Sequence, residues 1–393
     1  MTRRAVRLVL LAATLAALVF VDANLAESSI RIAPDARSTP QPREADAVSQ
    51  PAGATWTEAS ITASDGAVLR GWLFRPRQPN GAAVILLHGV SDTRRGVLGP
   101  AQFLLMHGYT VLTPDGRGHG ISGGELVTYG LLEAGDVRLW ADWMASQPGI
   151  TRLYGLGESL GAAVLLSSLK GESRFRAVVA ESPYSSFHSV AYDRLGGAIR
   201  VRGIAARLTL WPIVEPAFYT RVRHGLNLWT ASPRDAVAAS HVPVLLIHGT
   251  ADTNILPWHS RELCRVRTGI ELWEPAGVSH TGAYGADPAE FERRVTEWFE
   301  RPALSKVSGN GTVLGRASAI RSTISGLSLT AWYRPLPTHA AARLQRVWPR
   351  TRRACPGSAD STPGMYSDNS SHEFSPCISF RRPWKTLPRS RRE

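Results

Sequence analysis

Short apolar runs alternate with helix-like segments between residues 57 and 300, and this alternation predicts the fold. Apolar runs bounded by turn residues are typical of strands buried on both faces of a sheet. They predict strands at 81–89, 109–120 (running into a Gly-rich loop), 150–159, 175–182, 241–249 and 269–277. Helices are predicted at 97–108, 129–149, 160–170 and 287–300, and a β-hairpin at 57–77 that turns at Ser64-Asp65-Gly66. The expected class is therefore α/β, with a mostly parallel central sheet flanked by helices and function at the carboxyl ends of the strands.

The N-terminus has basic residues, an apolar run and small residues in the order that is typical of an export segment. Three arginines at positions 3, 4 and 7 precede an apolar run at 8–21. This run is short for a span of ~20 residues and fits the ~7–15 of a signal-peptide core. Residues 1–26 are therefore interpreted as a signal peptide or a membrane anchor. Ala23 and Ala26 could precede a cut, but neither completes an A-x-A site, so both alternatives stay open. Either one places the domain outside the cytoplasm, membrane-anchored or secreted, and the polar, Pro/Ala-rich residues 27–56 are expected to be a linker.

Charge is concentrated at the other end of the chain. The formal net charge is +13, but residues 302–393 hold 15 Lys and Arg against 4 Asp and Glu, which leaves +2 for residues 1–301. A nearly neutral body gives no reason to expect nucleic acid as a partner. The tail is interpreted as a disordered basic extension that contacts anionic lipid or polymer. An out-of-frame reading of GC-rich DNA, with no natural function, is the alternative. Three cysteines exclude a disulfide scaffold and form no zinc pattern, so no metal is expected.

A candidate nucleophile lies between the strand at 150–159 and the helix at 160–170. Gly157-Glu158-Ser159-Leu160-Gly161 fits G-x-S-x-G, and a strand before it with a helix after it is the context that this motif requires. The tight turn leaves little space beside Ser159, which explains Gly157 and Gly161. A serine that only caps the helix is the plainer alternative.

A serine hydroxyl needs a base, and the base needs an acid to orient it. His280 follows the strand at 269–277 and is the candidate base. Asp252 follows the strand at 241–249 and is the candidate acid; Asp287 competes for this role but fits an N-cap of the last helix. His88, His119, His248 and Asp115 are interpreted as structural turn residues.

Backbone N–H groups are expected to stabilise the oxyanion of an acyl-transfer intermediate. The candidates are those of Leu160, directly after the nucleophile, and Val90, at the end of the strand at 81–89. A small helical cap is expected at about 183–230. Its aromatic residues either line an apolar substrate pocket or only pack the cap. The tentative pocket residues are Trp211, Phe218 and Tyr219.

These residues together resemble the α/β-hydrolase fold family. The resemblance covers about residues 57–300 and rests on VILLHGV, PDGRGHGISGG, GLGESLGAA, VPVLLIHGTADTNI and GVSHTGAY. They look most like the serine aminopeptidase/acyl-peptidase-like branch, which includes many bacterial esterase-like members. The resemblance implies Ser159 as nucleophile, Asp252 as acid and His280 as base. It also implies a hydrolase domain at 57–301.

The expected function is that of an exported or membrane-tethered serine hydrolase. It would cleave ester, thioester or amide bonds of a small-molecule substrate through an acyl-enzyme, without a metal or organic cofactor. An acyltransferase on the same three residues is one alternative. A catalytically silent member that binds a partner or lipid is the other.

Overall fold

A central eight-stranded sheet organises the domain. The computed structural model describes residues 2–32, 34–201, 203–205, 208 and 218–301; Trp211 and the tail at 302–393 lie outside these ranges. The spatial strand order is β1-β2-β4-β3-β5-β6-β7-β8, antiparallel at β1/β2 and β2/β4 and parallel elsewhere. The strands are β1 Thr55–Thr62, β2 Val68–Arg75, β3 Ala82–Leu87, β4 Thr110–Pro114, β5 Arg152–Glu158, β6 Phe175–Glu181, β7 Val244–Ile247 and β8 Ile270–Trp273.

Helices cover both faces of the sheet. They are α1 Arg3–Ile30, α2 Pro42–Ser49, α3 Leu98–Met106, α4 Glu133–Ala145, α5 Leu160–Ser168, α6 Phe187–Ala198, α7 Phe218–His224, α8 Pro233–Ala238, α9 Trp258–Cys264, α10 Ala283–Ala286 and α11 Pro288–Glu300. Helices α4, α5, α8 and α9 share one apolar cluster with the sheet, and α2, α3 and α11 share the other. The expected mostly parallel, helix-flanked sheet is confirmed.

The elements form where the apolar pattern predicts them. All six residues of β3 are buried, as are eight of the nine in α5, so both tolerate a uniformly apolar sequence. Helix α11 is instead amphipathic and buries Phe291 and Trp298. The Asp287 side chain accepts a hydrogen bond from the Glu290 N–H at 3.1 Å, and Pro288 follows it at the first helical position, so the predicted N-cap is confirmed.

The segment after the apolar N-terminal run differs from an irregular linker. Helix α1 continues to Ile30, a 3₁₀ turn covers Pro34–Arg37, and α2 packs Ala45 and Val48 into the core. The Ile30 side chain is fully buried. The linker expected at 27–56 therefore contains residues that belong to the folded domain. Its elements are too short to show a hydrophobic period, which is why the sequence pattern did not indicate them.

Helix α1 itself has the length and composition of a membrane span. It contains 28 residues, and none of the residues in its most apolar window is buried against the protein.

Helices α6 and α7 lie in the segment that is expected to form the cap. They lie in the chain between β6 and β7, so this segment emerges from the carboxyl edge of the sheet.

Candidate active site

The turn between β5 and α5 holds Ser159 in an uncommon backbone conformation. Its φ is 50° and its ψ is −114°. The turn is so tight that a Cβ on Gly161 would lie 2.3 Å from the Leu87 carbonyl oxygen, and one on Gly157 would lie 2.6 Å from the Gly161 oxygen. Both motif glycines are thus required by backbone contacts, and the strained turn holds the serine at the carboxyl edge of the sheet.

The three residues singled out from the sequence meet at this edge. The Ser159 hydroxyl donates to His280 Nε2 over 2.9 Å, and His280 Nδ1–H donates to Asp252 Oδ2 over 2.7 Å. The Asp252 carboxylate is buried, whereas the His280 side chain is 20% exposed. Residues 121 positions apart in the chain therefore form one continuous chain of hydrogen bonds.

The environment of Asp252 favours its ionised form. Burial raises the pKa of this carboxyl group, but hydrogen bonds from His248 and His280 outweigh burial, so the net pKa lies below its ordinary range. The backbone N–H groups of Asn254 and Ile255 both donate to Asp252 Oδ1 over 2.9 Å. A permanently charged carboxylate fits the task of orienting an imidazole and stabilising its charged form.

His248 is a contributor that the sequence analysis missed. Its Nε2 lies 3.2 Å from Asp252 Oδ2 and 2.9 Å from the Ile255 carbonyl, and its Nδ1 lies 2.7 Å from Ser260 Oγ. The ring is fully buried. His248 therefore holds the acid in place as well as ending a strand. The spacing of four residues between His248 and Asp252 was the available signal.

Close backbone contacts join the acid loop to the base loop. The Ala251 N–H donates to the Val278 carbonyl over 2.9 Å, and the Gly277 N–H donates to Thr250 Oγ1 over 2.8 Å. A Cβ on Gly249 would lie 2.2 Å from the same Val278 oxygen. The two loops are thus packed at main-chain contact distance, and this contact sets the separation of Asp252 and His280.

The strand β3 ends beside the serine. A Cβ on Gly89 would lie 3.5 Å from Ser159 Cβ. His88 donates from Nδ1 to the Gly89 carbonyl over 2.8 Å and accepts at Nε2 from the Gly116 N–H over 2.9 Å. Burial lowers the His88 pKa and keeps the ring neutral, as this donor and acceptor pair requires. His88 is therefore structural, as expected, and it orients the peptide that precedes Val90.

Two carboxyl groups flank the nucleophile, Glu158 within the G-x-S-x-G motif and the buried Glu181 outside it. Glu158 and Glu181 are register partners at the ends of β5 and β6. Glu181 accepts the Ala283 N–H at Oε1 over 2.9 Å, and its carbonyl accepts the Ser159 N–H over 2.8 Å. Burial is the main cause that raises the pKa of both carboxyl groups. Repulsion by Glu181 adds to the rise at Glu158, and repulsion by Asp252 adds to it at Glu181. Glu181 thereby connects the nucleophile strand to the segment that follows His280.

The loop at 115–120 is a structural support. The Arg94 guanidinium donates to Asp115 Oδ2 over 2.8 Å, and both side chains are fully buried. The Arg117 guanidinium binds Asp136 of α4. His119 is neutral because burial lowers its pKa to about 4, and its Nε2 has no partner among the described residues.

Of the three tentative pocket residues, one, Tyr219, has a side chain that the structure describes. Trp211 lies outside the described residues, and so does the side chain of Phe218. The Tyr219 hydroxyl donates to Glu27 of α1 over 2.9 Å. A mainly apolar recess instead reaches the first turn of α5. Its lining includes Leu69, Leu87, His119, Trp140, Leu160 and Val164.

Among residues whose positions are described, no group of three or more His, Cys, Asp and Glu side chains is arranged to hold a metal ion.

Comparisons with known proteins agree with this architecture. A family model described as "Serine aminopeptidase, S33" matches residues 78–211. The uncharacterized protein YqkD of Bacillus subtilis is 26% identical over 246 residues, which cover 61% of this chain and 78% of that protein. The uncharacterized protein YfhR of Salmonella typhi is 25% identical over 288 residues, with coverages of 68% and 85%.

A solved structure has the same fold. The Pyrococcus furiosus esterase Pf2001 superposes with a TM-score of 0.54 at 23% identity, covering 70% of this chain and 98% of that one. The sheet order and this superposition show the α/β-hydrolase fold, and over residues 78–211 the chain is similar to the serine aminopeptidase family.

Proposed function

We propose that the protein is a serine hydrolase that cleaves ester, thioester or amide bonds through an acyl-enzyme on Ser159 and is tethered to a membrane by α1. The observation that carries the first part is the hydrogen-bond chain from Ser159 through His280 to Asp252, with distances of 2.9 and 2.7 Å. Similarity to the serine aminopeptidase family over residues 78–211 supports the class of reaction.

The geometry supports a two-step reaction. His280 Nε2 takes the proton of the Ser159 hydroxyl while Oγ forms a bond to the substrate carbonyl carbon. The resulting imidazolium is stabilised by the ionised Asp252 and then gives its proton to the leaving alcohol, thiol or amine as the bond to it breaks. Water, deprotonated by the same imidazole, attacks the acyl-enzyme; the acid leaves and Ser159 regains its proton.

Two further features support acyl transfer. The backbone N–H groups of Leu160, at the start of α5, and Val90, after the oriented Gly89 peptide, are the proposed oxyanion donors. The recess reaching Leu160 is mainly apolar and is the proposed site for the acyl group. The unpartnered His119 Nε2 in its lining can accept one hydrogen bond there.

The tether is supported by the continuity of α1. Arginines at 3, 4 and 7 precede the apolar run, which places them on the cytoplasmic side and the domain on the opposite side. The helix runs without a break past Ala23 and Ala26, the two candidate cleavage positions, and ends on the folded domain at Ile30. A rigid helix across these positions favours a retained anchor over a removed signal peptide.

The hydrolase assignment is tested with Ser159→Ala in the full-length protein purified in detergent. We expect turnover of short-chain p-nitrophenyl esters to fall on the order of 10⁶-fold and labelling by a fluorophosphonate probe to disappear, because the nucleophile is gone. Ser167→Ala is the matched control, because Ser167 lies on α5 and its hydroxyl donates to the Ala163 carbonyl. Wild-type-like turnover or labelling of Ser159→Ala would refute the assignment.

A further inference from the structure

The last turns of α1 are docked on the cap. Glu27 Oε1 accepts from the Tyr219 hydroxyl over 2.9 Å and lies 2.7 Å from His224 Nε2, both on α7. Three residues later Ile30 is fully buried in a cluster with Phe187 of α6 and Leu228. The end of the proposed anchor helix therefore packs directly against the cap, and no free linker separates the two.

This docking limits the distance between the cap and the membrane. Glu27 follows Val21, the last residue of the apolar run, by six helical residues, and a helix rises ~1.5 Å per residue, so the two are about 9 Å apart along the axis. A hydrocarbon core of ~30 Å needs about 20 helical residues, which, counted from residue 8, would reach Glu27 itself. Whether the membrane span ends at Val21 or at Glu27, the contact with Glu27 would hold α7 at the surface of the bilayer.

The cap surface has the chemistry of a membrane-facing surface. The exposed large apolar side chains of this segment are between 53% and 78% exposed and are Ile199, Ile204, Leu208 and Val222. They alternate with basic residues: in the sequence, 194–224 contains six arginines and one glutamate, a net charge of +5. On α7, Arg221, Val222 and Arg223 are consecutive exposed residues. Apolar side chains among arginines favour the interface of an anionic bilayer.

The cap segment leaves the sheet at the same edge as the candidate active site. Helix α6 begins at Phe187, a few residues beyond Ser182, which follows β6 at the carboxyl edge where Ser159 lies. The Tyr184 hydroxyl donates to the Tyr129 carbonyl over 2.9 Å, and the Tyr129 hydroxyl donates to the Ser29 carbonyl of α1 over 2.7 Å. The start of the cap segment and the end of the anchor are thus connected through Tyr129.

We propose that the cap rests on the bilayer that α1 crosses and that the substrate is an ester-linked acyl lipid drawn from that bilayer. The inference rests on the proposed hydrolase function and names its substrate class. The Ser159 Oγ bonds to the acyl carbon, the ester C–O bond breaks, and the lipid alcohol leaves with the proton from His280. Water then releases the fatty acid. The mainly apolar recess beside Leu160 is the proposed site where the acyl chain enters.

The geometry is tested with a fluorophore whose environment reports depth. Single cysteines at positions 204 and 222, in full-length protein whose native cysteines are serine, are labelled with NBD and reconstituted into phosphatidylcholine/phosphatidylglycerol vesicles. Position 106 is the matched control: Met106 is also 66% exposed, but it ends α3, which returns from β3 to the opposite edge of the sheet. We expect lipids with a chain-bound quencher to quench the first two labels and spare the third. Equal accessibility of all three labels to an aqueous quencher would overturn the proposal. The exposed apolar cap surface would then be interpreted as a binding site for a protein partner.

The substrate class is tested by kinetics in the same vesicles. For the variant Ile204→Asp/Val222→Asp we expect kcat/KM on a vesicle phospholipid or diacylglycerol to fall about tenfold, because insertion of the cap is lost. Turnover of a soluble short-chain ester should stay within about twofold, as should both activities of Met106→Asp. Equal losses on both substrates, or none, would contradict lipid delivery through the cap. If Ser159 is not labelled by fluorophosphonate although the NBD labels are quenched, the hydrolase proposal fails and the lipid-substrate claim fails with it, while the membrane-facing cap stands.

Discussion

At the scale of single residues, Glu181 is a group next to the site whose surroundings disfavour its charged form. It is almost completely buried, one carboxyl oxygen has no hydrogen-bond partner among the described residues, and the charge of Asp252 opposes its ionisation. Burial is the larger cause of its raised pKa. The folded protein therefore holds the Glu181 proton more tightly than the unfolded chain does.

A consequence is that Glu181 makes stability depend on pH. Its contribution to folding is fully present below the ordinary glutamate pKa of about 4.5 and is lost as the pH rises through the higher pKa of the folded state. Glu181→Gln keeps the acceptor for the Ala283 N–H but does not ionise. We expect the variant to match wild type near pH 4.5 and to be more stable at pH 8, on the order of 2 kcal/mol.

Denaturant midpoints at both pH values check this expectation. The exposed Glu125→Gln is the control and should change neither midpoint. The same difference between Glu181→Gln and wild type at both pH values would show that Glu181 does not titrate in this range.

Residue types and motif spacing were sufficient to select Ser159, His280 and Asp252 from the sequence. The same reasoning could not find the roles of His248 and Glu181. Glu181 ends β6 and His248 follows β7, and neither stands in a position that a catalytic motif marks. His248 acts through Asp252, four residues away, so the spacing was available but carried no motif. Glu181 acts through the Ala283 N–H, a contact that becomes visible only when distant segments are placed side by side.

At the scale of elements, the acid and base loops act as one unit. Their main chains touch at Gly249 and Val278, where a methyl group would lie 2.2 Å from a carbonyl oxygen. Backbone on both sides leaves no side chain that could move aside, so the loops themselves must shift if Gly249 is enlarged.

Gly249→Ala should therefore reduce both stability and activity. We expect a loss of about 1–3 kcal/mol from overpacking and a fall of kcat/KM on the order of 10²-fold, since the separation of Asp252 and His280 changes. Gly285→Ala is the matched control, because a Cβ there meets nothing within 4 Å. Thermal unfolding and ester kinetics measure both quantities. Identical behaviour of the two variants would show that the loops can separate without cost.

The elements themselves were largely predictable from the apolar pattern, with the exception of the segment between α1 and β1. Helix α2 has eight residues, which is too short for a period to stand out, and Ile30 and Ala36 are isolated apolar positions in a polar stretch. Their burial is decided by the surface they meet, which the local sequence does not contain.

At the scale of the whole molecule, the proposed membrane tether depends on α1. If α1 is a retained anchor, full-length protein from native membranes should resist extraction by alkaline carbonate. Its intact mass should include residues 1–26. Leu11→Arg/Leu15→Arg should release the protein or prevent its insertion, since each arginine at the centre of a span costs about 2.5–3.5 kcal/mol. A carbonate-soluble product beginning at Glu27 would instead establish cleavage after Ala26.

The sequence by itself determined the class of fold, the identity of the three candidate catalytic residues and the presence of an apolar N-terminal helix. These follow from local patterns: strand and helix periodicity, a strand–turn–helix motif and a run of apolar residues. Only the tertiary structure decided that the three side chains meet in one chain of hydrogen bonds, that His248 and Glu181 surround them, and that the end of α1 is docked on the cap. Those features depend on contacts between residues far apart in the chain, and the free energy of such contacts is not encoded in any single segment.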